Sequence, residues 1–565
     1  MNKLIKIIHL ERMLLIVLVS ISFVPLLDLF HPGIPLGHDT PDHVARIASF
    51  YASLREGILV PRWAGNLNWG YGHPILMFLY PLPSYVASFF HALGFSFVDS
   101  TKLVFAVSYI ASLLAMYLFA STAWGALPGS LAAVLYGFAP YRFVDLYVRG
   151  AIGEHVAFIF PPLIAWGLLK ESWGRQSDAT AGFAVGLGIA GLLLSHNAVS
   201  LMMLPFLLLY GGYLFFFEAK DRLGFFVRGW WFAVIGFFVS AFFWMPAFLE
   251  GKYTLRDIVT KGDFASRFVP WQSFIWSPWN WGGGNEFTKE IGISGLLVVG
   301  LSIVLIVHPR TDTLRKKLLL VVLAVLFGIL LMMTSVSSPL WNAITILQKF
   351  QFPWRFLSVA VFILSVLGGI AVSSLPKKYT LGFVVVILFV SIVTTIPMWH
   401  AKQYSPKDEK IFDLPYPGTT DTGESSPIWS IRFMEHFPRA PAEVISGNAN
   451  IAPGSRKSTQ HSYVINAKTK TRIVENTLYF PGWNIDIDGS RLNSTEVQYQ
   501  DPDYRGLMTF WIEPGQHSVM VSFTDTKLRT RANQVSLVGL LFFVLTWCWV
   551  RMFPKVIVGV KRRRT

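Results

Sequence analysis

The chain has 565 residues, 53% of them hydrophobic and only 14% charged, with 20 tryptophans and a mean hydropathy of +0.48. That composition excludes an ordinary soluble domain, in which charged residues approach a quarter of the chain. The formal charge of +15 does not point to nucleic acid, because the cations mostly flank long apolar runs, as they do in membrane proteins.

Residues 13–30 form the first run long enough to cross a bilayer. Lys3, Lys6 and Arg12 precede it as in a signal peptide. Phe30-His31-Pro32 offers no small-residue cleavage site, so the run reads as a retained anchor helix. Further spans are expected at 101–122, 125–140, 154–170, 178–195, 198–217, 226–248, 290–308, 317–334, 354–374, 380–399 and 533–553. One assignment makes every clearly basic turn cytoplasmic: Lys220, Arg222 and Arg228; Arg310, Arg315, Lys316 and Lys317; Lys377 and Lys378; and the end, Lys561 to Arg564. It also puts Lys170 and Arg175 inside. Residues 74–94 are apolar enough to span, but a crossing there would reverse every later loop. With Pro81, Pro83 and His91, the stretch reads as lying on the outer surface, or re-entrant.

The expected fold class is therefore membrane all-α: a helical bundle of about 12–13 spans, both termini cytoplasmic, with an extracytoplasmic β-sandwich before the last span. Residues 1–400 make the transmembrane domain, with outer loops 31–100, 141–153, 249–289 and 335–353. Residues 401–532 make the β-rich domain, and 533–565 the last helix and basic tail. Strands are expected at 463–465, 471–474, 484–487 and 519–523, with Asp488-Gly489 as one hairpin turn and Glu513-Pro514-Gly515-Gln516 as another. Residues 402–458 read as irregular. The single cysteine, Cys548, falls in the last span and excludes an intrachain disulfide or a cysteine metal site.

Polar groups beside a membrane are costly, so their presence hints at function. The first outer loop opens with Gly37-His38-Asp39-Thr40-Pro41-Asp42-His43. This is both a helix start, with Asp39 or Thr40 as N-cap and Pro41 in the first turn, and a pair of carboxylates and imidazoles at the membrane surface. Asp39, Asp42 or His43, and Arg46 share one helical face. A second group, Tyr141 to His155, joins Asp145, Arg149, Glu154 and His155. A third is His196-Asn197, in a tight turn, and a fourth is Gln351-Phe352-Pro353-Trp354-Arg355-Phe356. Arg149 and Arg355 are cations on the outer side, against the usual bias. A guanidinium there can grip a phosphate with two hydrogen bonds, or pair with Glu154 or Asp145. An outer carboxylate can act as general base on an acceptor hydroxyl while cations hold a lipid-linked phosphate as it leaves. That is glycosyl transfer.

The layout of residues 1–400 resembles the GT-C superfamily of integral membrane glycosyltransferases. Gly37-His38-Asp39 with His43, Pro61-Arg62-Trp63 with Gly70-Tyr71-Gly72-His73-Pro74, Arg149-Gly150-Ala151 with Glu154, Leu194-Ser195-His196-Asn197 and Gln351 to Phe356 are more specifically similar to two membrane groups. These are the proteins described as "6-pyruvoyl-tetrahydropterin synthase-related" and the YfhO-like proteins. The tail motifs Tyr479-Phe480-Pro481-Gly482-Trp483, Asp488-Gly489 and Pro514-Gly515-Gln516-His517 are similar to the YfhO-like outer β domain. The resemblance implies an acidic base in the first outer loop, matched by Asp39, and a second acidic residue from the next, matched by Glu154 or Asp145. The adjacent Asp-Glu pair common in the superfamily is absent, since Thr40 follows Asp39, and Asp42 competes for the role. Candidate catalytic residues are Asp39, Asp42, His43 and Glu154; candidate phosphate or substrate ligands are Arg46, His73, Arg149, His196 and Arg355. The implied partners are a polyprenyl-phosphate-linked sugar, the bilayer, and a glycan, lipid or protein acceptor. No cofactor is specified, and a divalent cation is left open. The competing expectations are a transporter or flippase for lipid-linked glycans and a non-enzymatic envelope assembly factor.

Overall fold

The computed structural model describes residues 2–174, 179–260, 262–283, 286–406 and 408–552. Arg175 and the basic tail Lys561 to Arg564, assigned above to the cytoplasm, lie outside the described residues. Each of the twelve expected spans contains a helix. Eight are long and apolar enough to cross a membrane: Glu11–Phe30, Phe97–Trp124, Ile152–Ser172, Asn197–Glu218, Arg222–Val239, Pro353–Ser373, Lys377–Met398 and Lys527–Trp549. A ninth, Thr313–Met332, continues after an 83° bend into Ser335–Ala343. The other three, Ala126–Gly137, Thr180–Ser195 and Ile293–Val307, are shorter. Ala126–Gly137 is cut off because Ala139, before Pro140, turns extended (φ −66°, ψ 138°), as steric conflict with a following proline ring demands.

Residues 74–94 form no crossing helix. Pro81 and Pro83 break the stretch into Ile75–Phe78 and the 11-residue Leu82–Ala92. Eleven residues rise only about 16 Å, half the hydrocarbon thickness. At the bundle's centre stands Pro353–Ser373, 89% buried, beside Ile152–Ser172 at 72% and Phe97–Trp124 at 61%. The last helix, at 17%, lies at the rim.

The helices set two distinct ends. At one, Glu154, His196 and Arg355 meet. At the other, Arg228 pairs with Glu171 at 2.8 Å, Lys220 N–H reaches the Ser172 carbonyl at 3.2 Å, and Arg315 donates to Ser373. The basic turns thus share the end away from Glu154.

The β domain sits on the Glu154 end. Ile34–Pro35 (β1) pairs antiparallel with Tyr404–Ser405 (β2), joining the exit of the first span to the entrance of the domain. One sheet of three strands runs in the order Ala442–Ser446 (β3), Thr471–Leu478 (β6), Leu507–Ile512 (β9). The other has Ala449–Arg456 (β4), Gln460–Ala467 (β5), Gly515–Phe523 (β10), Trp483–Ile487 (β7) and Ser490–Arg491 (β8), in that order. Ile465, Ile473, Ile485, Phe510, Val519 and Val521 fill the space between them. Asp488-Gly489, both at positive φ (50° and 80°), make the two-residue hairpin expected between β7 and β8. The turn at 513–516 is not a hairpin: β9 and β10 lie in different sheets, so it carries the chain across the sandwich. The stretch 402–458 is not wholly irregular, since it holds β2, β3 and β4.

Candidate functional site

Glu154 lies at the centre, fully buried. Its Oε1 faces Arg149 Nη2 at 2.8 Å, Arg355 Nε at 3.2 Å and His196 Nε2 at 3.9 Å, and its Oε2 accepts from the Tyr141 hydroxyl at 2.8 Å. Arg149 Nη1 reaches Asp145 Oδ1 at 2.6 Å. A bare carboxylate at this depth would cost several kcal/mol; two guanidiniums and a hydroxyl offset that. The local chain explains the convergence. Val144–Arg149 is a wide helical turn that ends on Gly150 at φ +64°, so the chain doubles back and brings Glu154 under Arg149. A Cβ on Gly150 would lie 2.0 Å from Thr40 Oγ1, so no larger residue fits there.

That close approach stitches the loop after the first span to the turn at Gly150. His38 N–H donates to the Val148 carbonyl and Asp39 N–H to the Arg149 carbonyl, each at 2.9 Å. Asp39 stands at the N-terminus of helix Thr40–Arg55 but makes no side-chain capping bond. Its carboxylate is exposed and has no hydrogen bond or ion pair among the described residues. Asp42, His43 and Arg46 of that helix are engaged. Asp42 accepts from the Tyr416 hydroxyl at 2.9 Å, and burial pushes its carboxyl above the ordinary aspartate range. His43 is buried with Nδ1 3.0 Å from Arg46; burial and that guanidinium hold it neutral, well below the usual imidazole range. Arg46 in turn binds the hydroxyl of Thr420 at 3.2 Å and its carbonyl. The single face expected for Asp39, Asp42, His43 and Arg46 is therefore divided into one free carboxylate and three anchored side chains.

Two of the residues expected to meet phosphate, Arg149 and His73, are engaged within the protein. Arg149 is only 5% exposed, packs over the Trp354 ring at 4.6 Å, and has both terminal nitrogens on carboxylates. Its ion-pairing alternative is the one realised. His73 is completely buried, with Nε2 3.2 Å from Ser426 Oγ; its backbone forms an isolated β-bridge with Ala64. Arg355 is more open. Its Nη1 donates to the Phe350 carbonyl at 2.9 Å and lies 3.4 Å from Gln351 Oε1, while Nη2 has no hydrogen bond among the described residues. His196 accepts from Val199 N–H through Nδ1, capping its helix, and turns Nε2 toward Glu154.

Sequence reasoning missed two contributors. Tyr80 lies against the His196 ring at 4.9 Å; burial pushes its hydroxyl up to about 12, with Asp39, Arg46, Glu154 and Arg355 all within electrostatic reach. The other is a strap, residues 416–426, which crosses the site from the β-domain side. Tyr416 holds Asp42, Thr420 holds Arg46, Glu424 holds Gln351 at 2.6 Å and Ser426 holds His73. The only sequence signal was Asp421 and Glu424 within a Gly/Ser/Thr-rich run. Among the described residues no three His, Cys, Asp or Glu side chains converge on a point that could hold a metal ion. Chemically, the arrangement offers a free carboxylate able to take a proton and a part-exposed guanidinium able to bind an anion, both within electrostatic reach of Tyr80.

No family model matches the chain. Over 273 residues it is 26% identical to an "Uncharacterized protein" of Lactococcus lactis subsp. cremoris, a match covering 47% of this chain and 44% of that one. The chain thus matches less than half the length of that relative. Among solved structures, mycobacterial arabinofuranosyltransferase AftD overlaps 68% of this chain and 27% of its own at 14% identity and a TM-score of 0.43. ArnT from Cupriavidus metallidurans, bound to undecaprenyl phosphate, overlaps 68% of this chain and 88% of its own at 12% identity and a TM-score of 0.28. Both scores fall below 0.5 and carry no weight for activity. The helices and the β domain themselves define a multi-pass α-helical membrane protein with a β-sandwich at one end of its bundle.

Proposed function

We propose that this protein is a GT-C-type membrane glycosyltransferase that moves a sugar from a polyprenyl-phosphate donor to a cell-envelope acceptor on the extracytoplasmic side. Within that class its motifs fit the YfhO-like and "6-pyruvoyl-tetrahydropterin synthase-related" membrane proteins. The observation that carries the reading is the unpartnered, exposed Asp39 carboxylate, held by main-chain bonds against Arg149, at the bundle end opposite the basic turns. In the proposed step Asp39 accepts the proton of an acceptor hydroxyl. The hydroxyl oxygen forms a bond to the anomeric carbon, and the bond from that carbon to the phosphate oxygen breaks. Polyprenyl phosphate leaves with the electron pair, its charge met by Arg355. One base and a phosphate leaving group suit an inverting transfer. Glu154 and Arg149 act as the platform that aims Arg355 and fixes the Asp39 loop.

The test is transfer by purified protein from a panel of polyprenyl-phosphate sugars, comparing wild type with Asp39→Asn. Transfer that survives in Asp39→Asn would move the base to Asp42. No transfer by wild type, together with movement of lipid-linked sugar across vesicles, would replace the enzyme with a flippase. The sidedness is tested separately in a Cys548→Ser background. Single cysteines at the exposed positions Asp99, Ser266 and Ser490 are expected to react with an impermeant thiol reagent in intact cells, while one at Lys377 is not. Labelling at 377 with protection at 490 would invert the topology.

A further inference from the structure

Glu424 hangs from the same residue as Arg355. Gln351 adopts φ +63°, a left-handed conformation uncommon for a residue with a side chain. In that conformation one amide serves both neighbours: Nε2 donates to Glu424 Oε2 at 2.6 Å, and Oε1 lies 3.4 Å from Arg355 Nη1. The Thr422 hydroxyl donates to the same Glu424 oxygen at 3.1 Å. Glu424 Oε2 is thus fully engaged, while Oε1 has no partner among the described residues. As a mere latch Glu424 would need no charge, since a glutamine carbonyl would accept the same two bonds. The strap is already fastened at Tyr416, Thr420 and Ser426.

We propose that Glu424 reads the sugar of the lipid-linked donor, its free oxygen accepting hydrogen bonds from the hydroxyls of a neutral hexose while Arg355 holds the phosphate. This rests on the glycosyltransferase reading above. A sugar whose phosphate sits at Arg355 is one bond from that phosphate, and one glutamine amide separates Arg355 from Glu424. The ring hydroxyls therefore come within reach of Glu424 Oε1. A charged acceptor makes shorter, stronger bonds to hydroxyls than a neutral one, and the half-buried setting of the strap strengthens them further by excluding water. The strap, not the membrane helices, then carries the choice of sugar.

The experiment measures binding by the full-length protein in nanodiscs of bare undecaprenyl phosphate and of undecaprenyl phosphate carrying glucose, galactose or mannose. Wild type is expected to bind at least one hexose-linked lipid about tenfold more tightly than the bare lipid. Glu424→Gln keeps the latch and loses that advantage, with bare-lipid affinity within about twofold of wild type and the unfolding temperature unchanged. Arg355→Ala weakens both kinds of lipid. Should Glu424→Gln fail to fold, Glu424→Asp, which keeps the charge but withdraws it, is expected to show the same loss. A Glu424 variant that keeps the full preference for a hexose overturns the proposal and leaves the glycosyltransferase reading intact. So does a wild type that binds bare lipid with no preference for any sugar. A wild type that binds none of the lipids overturns both.

Discussion

Two fully buried glutamates, Glu154 in the helical bundle and Glu475 in the β-sandwich, solve the same problem with different reach. Glu475 Oε1 accepts from His461 and the Thr477 hydroxyl, each at 2.9 Å, with Arg456 at 3.4 Å. All four residues lie within the successive strands β4, β5 and β6, inside one stretch of 22 residues from Arg456 to Thr477. Glu154 draws its partners from Tyr141, Arg149, His196 and Arg355, spread over more than two hundred positions of chain. The sandwich cluster is closed and local. The bundle cluster exists only once several helices have assembled, and it opens beside the free Asp39. An ionic group that serves packing can be built from neighbours, whereas one that shapes a site gathers distant segments around it.

The largest expected effect tests that contrast directly. Among the described residues, Glu154→Ala leaves the buried Arg149 with Asp145 as its one carboxylate and Arg355 with none, and should cost about 3–5 kcal/mol of stability, seen as a lowered unfolding temperature in detergent and poor recovery of folded protein. Asp39→Asn should do the opposite: turnover falls by roughly 100-fold, while the unfolding temperature stays put, because the carboxylate has no partner to lose. A shared loss of stability in both variants would erase the distinction between platform and working group. Arg355→Ala comes next, weakening binding of undecaprenyl phosphate by on the order of 2 kcal/mol; unchanged binding would make Arg355 a second structural cation like Arg149.

The smallest effect belongs to the sandwich. Burial alone would raise the Glu475 carboxyl, but the hydrogen bond from His461 and the nearby Arg456 charge outweigh it and hold the group below the usual glutamate range. A carboxyl depressed in the folded state adds stability that is complete above its unfolded pKa, about 4.3, and is lost as pH falls through the folded value. The β-domain transition should therefore be flat near neutrality and weaken below about pH 4.3, and Glu475→Gln should flatten that acid limb. An acid limb of unchanged steepness in the variant would assign it to other carboxylates.

Much of this was readable from the chain. The spans announced themselves as apolar runs, and Asp488-Gly489 specified its hairpin because both residues tolerate positive φ. Glu154, Arg149, His196 and Arg355 stood out as charged or titratable groups beside membrane, where burial is expensive enough to require a reason. Their partners were less visible. Whether Arg149 grips a ligand or a carboxylate depends on the turn at Gly150, which composition does not reveal. The strap was hidden for a different cause: residues 416–426 have no periodicity, and its anchors Tyr416, Thr420, Glu424 and Ser426 bond to residues far away in sequence. The turn residues at 513–516 suggested a hairpin, yet the strands they join lie in different sheets. Local residues cannot say whether the strands on either side share a sheet.

The ladder between Ile34–Pro35 and Tyr404–Ser405 also sets a timetable. Asp39 leaves the ribosome early and can bond to the Arg149 carbonyl once that residue is made, but the strand pairing at the base of its loop waits for residue 405 and the strap for residue 426. At synthesis rates of about 5–20 residues per second that interval is roughly 20–80 s. Throughout it Asp42 stands without Tyr416, the partner that its carboxylate has in the finished fold. The earliest-made segment of the cluster is thus fastened only by residues translated hundreds of positions later.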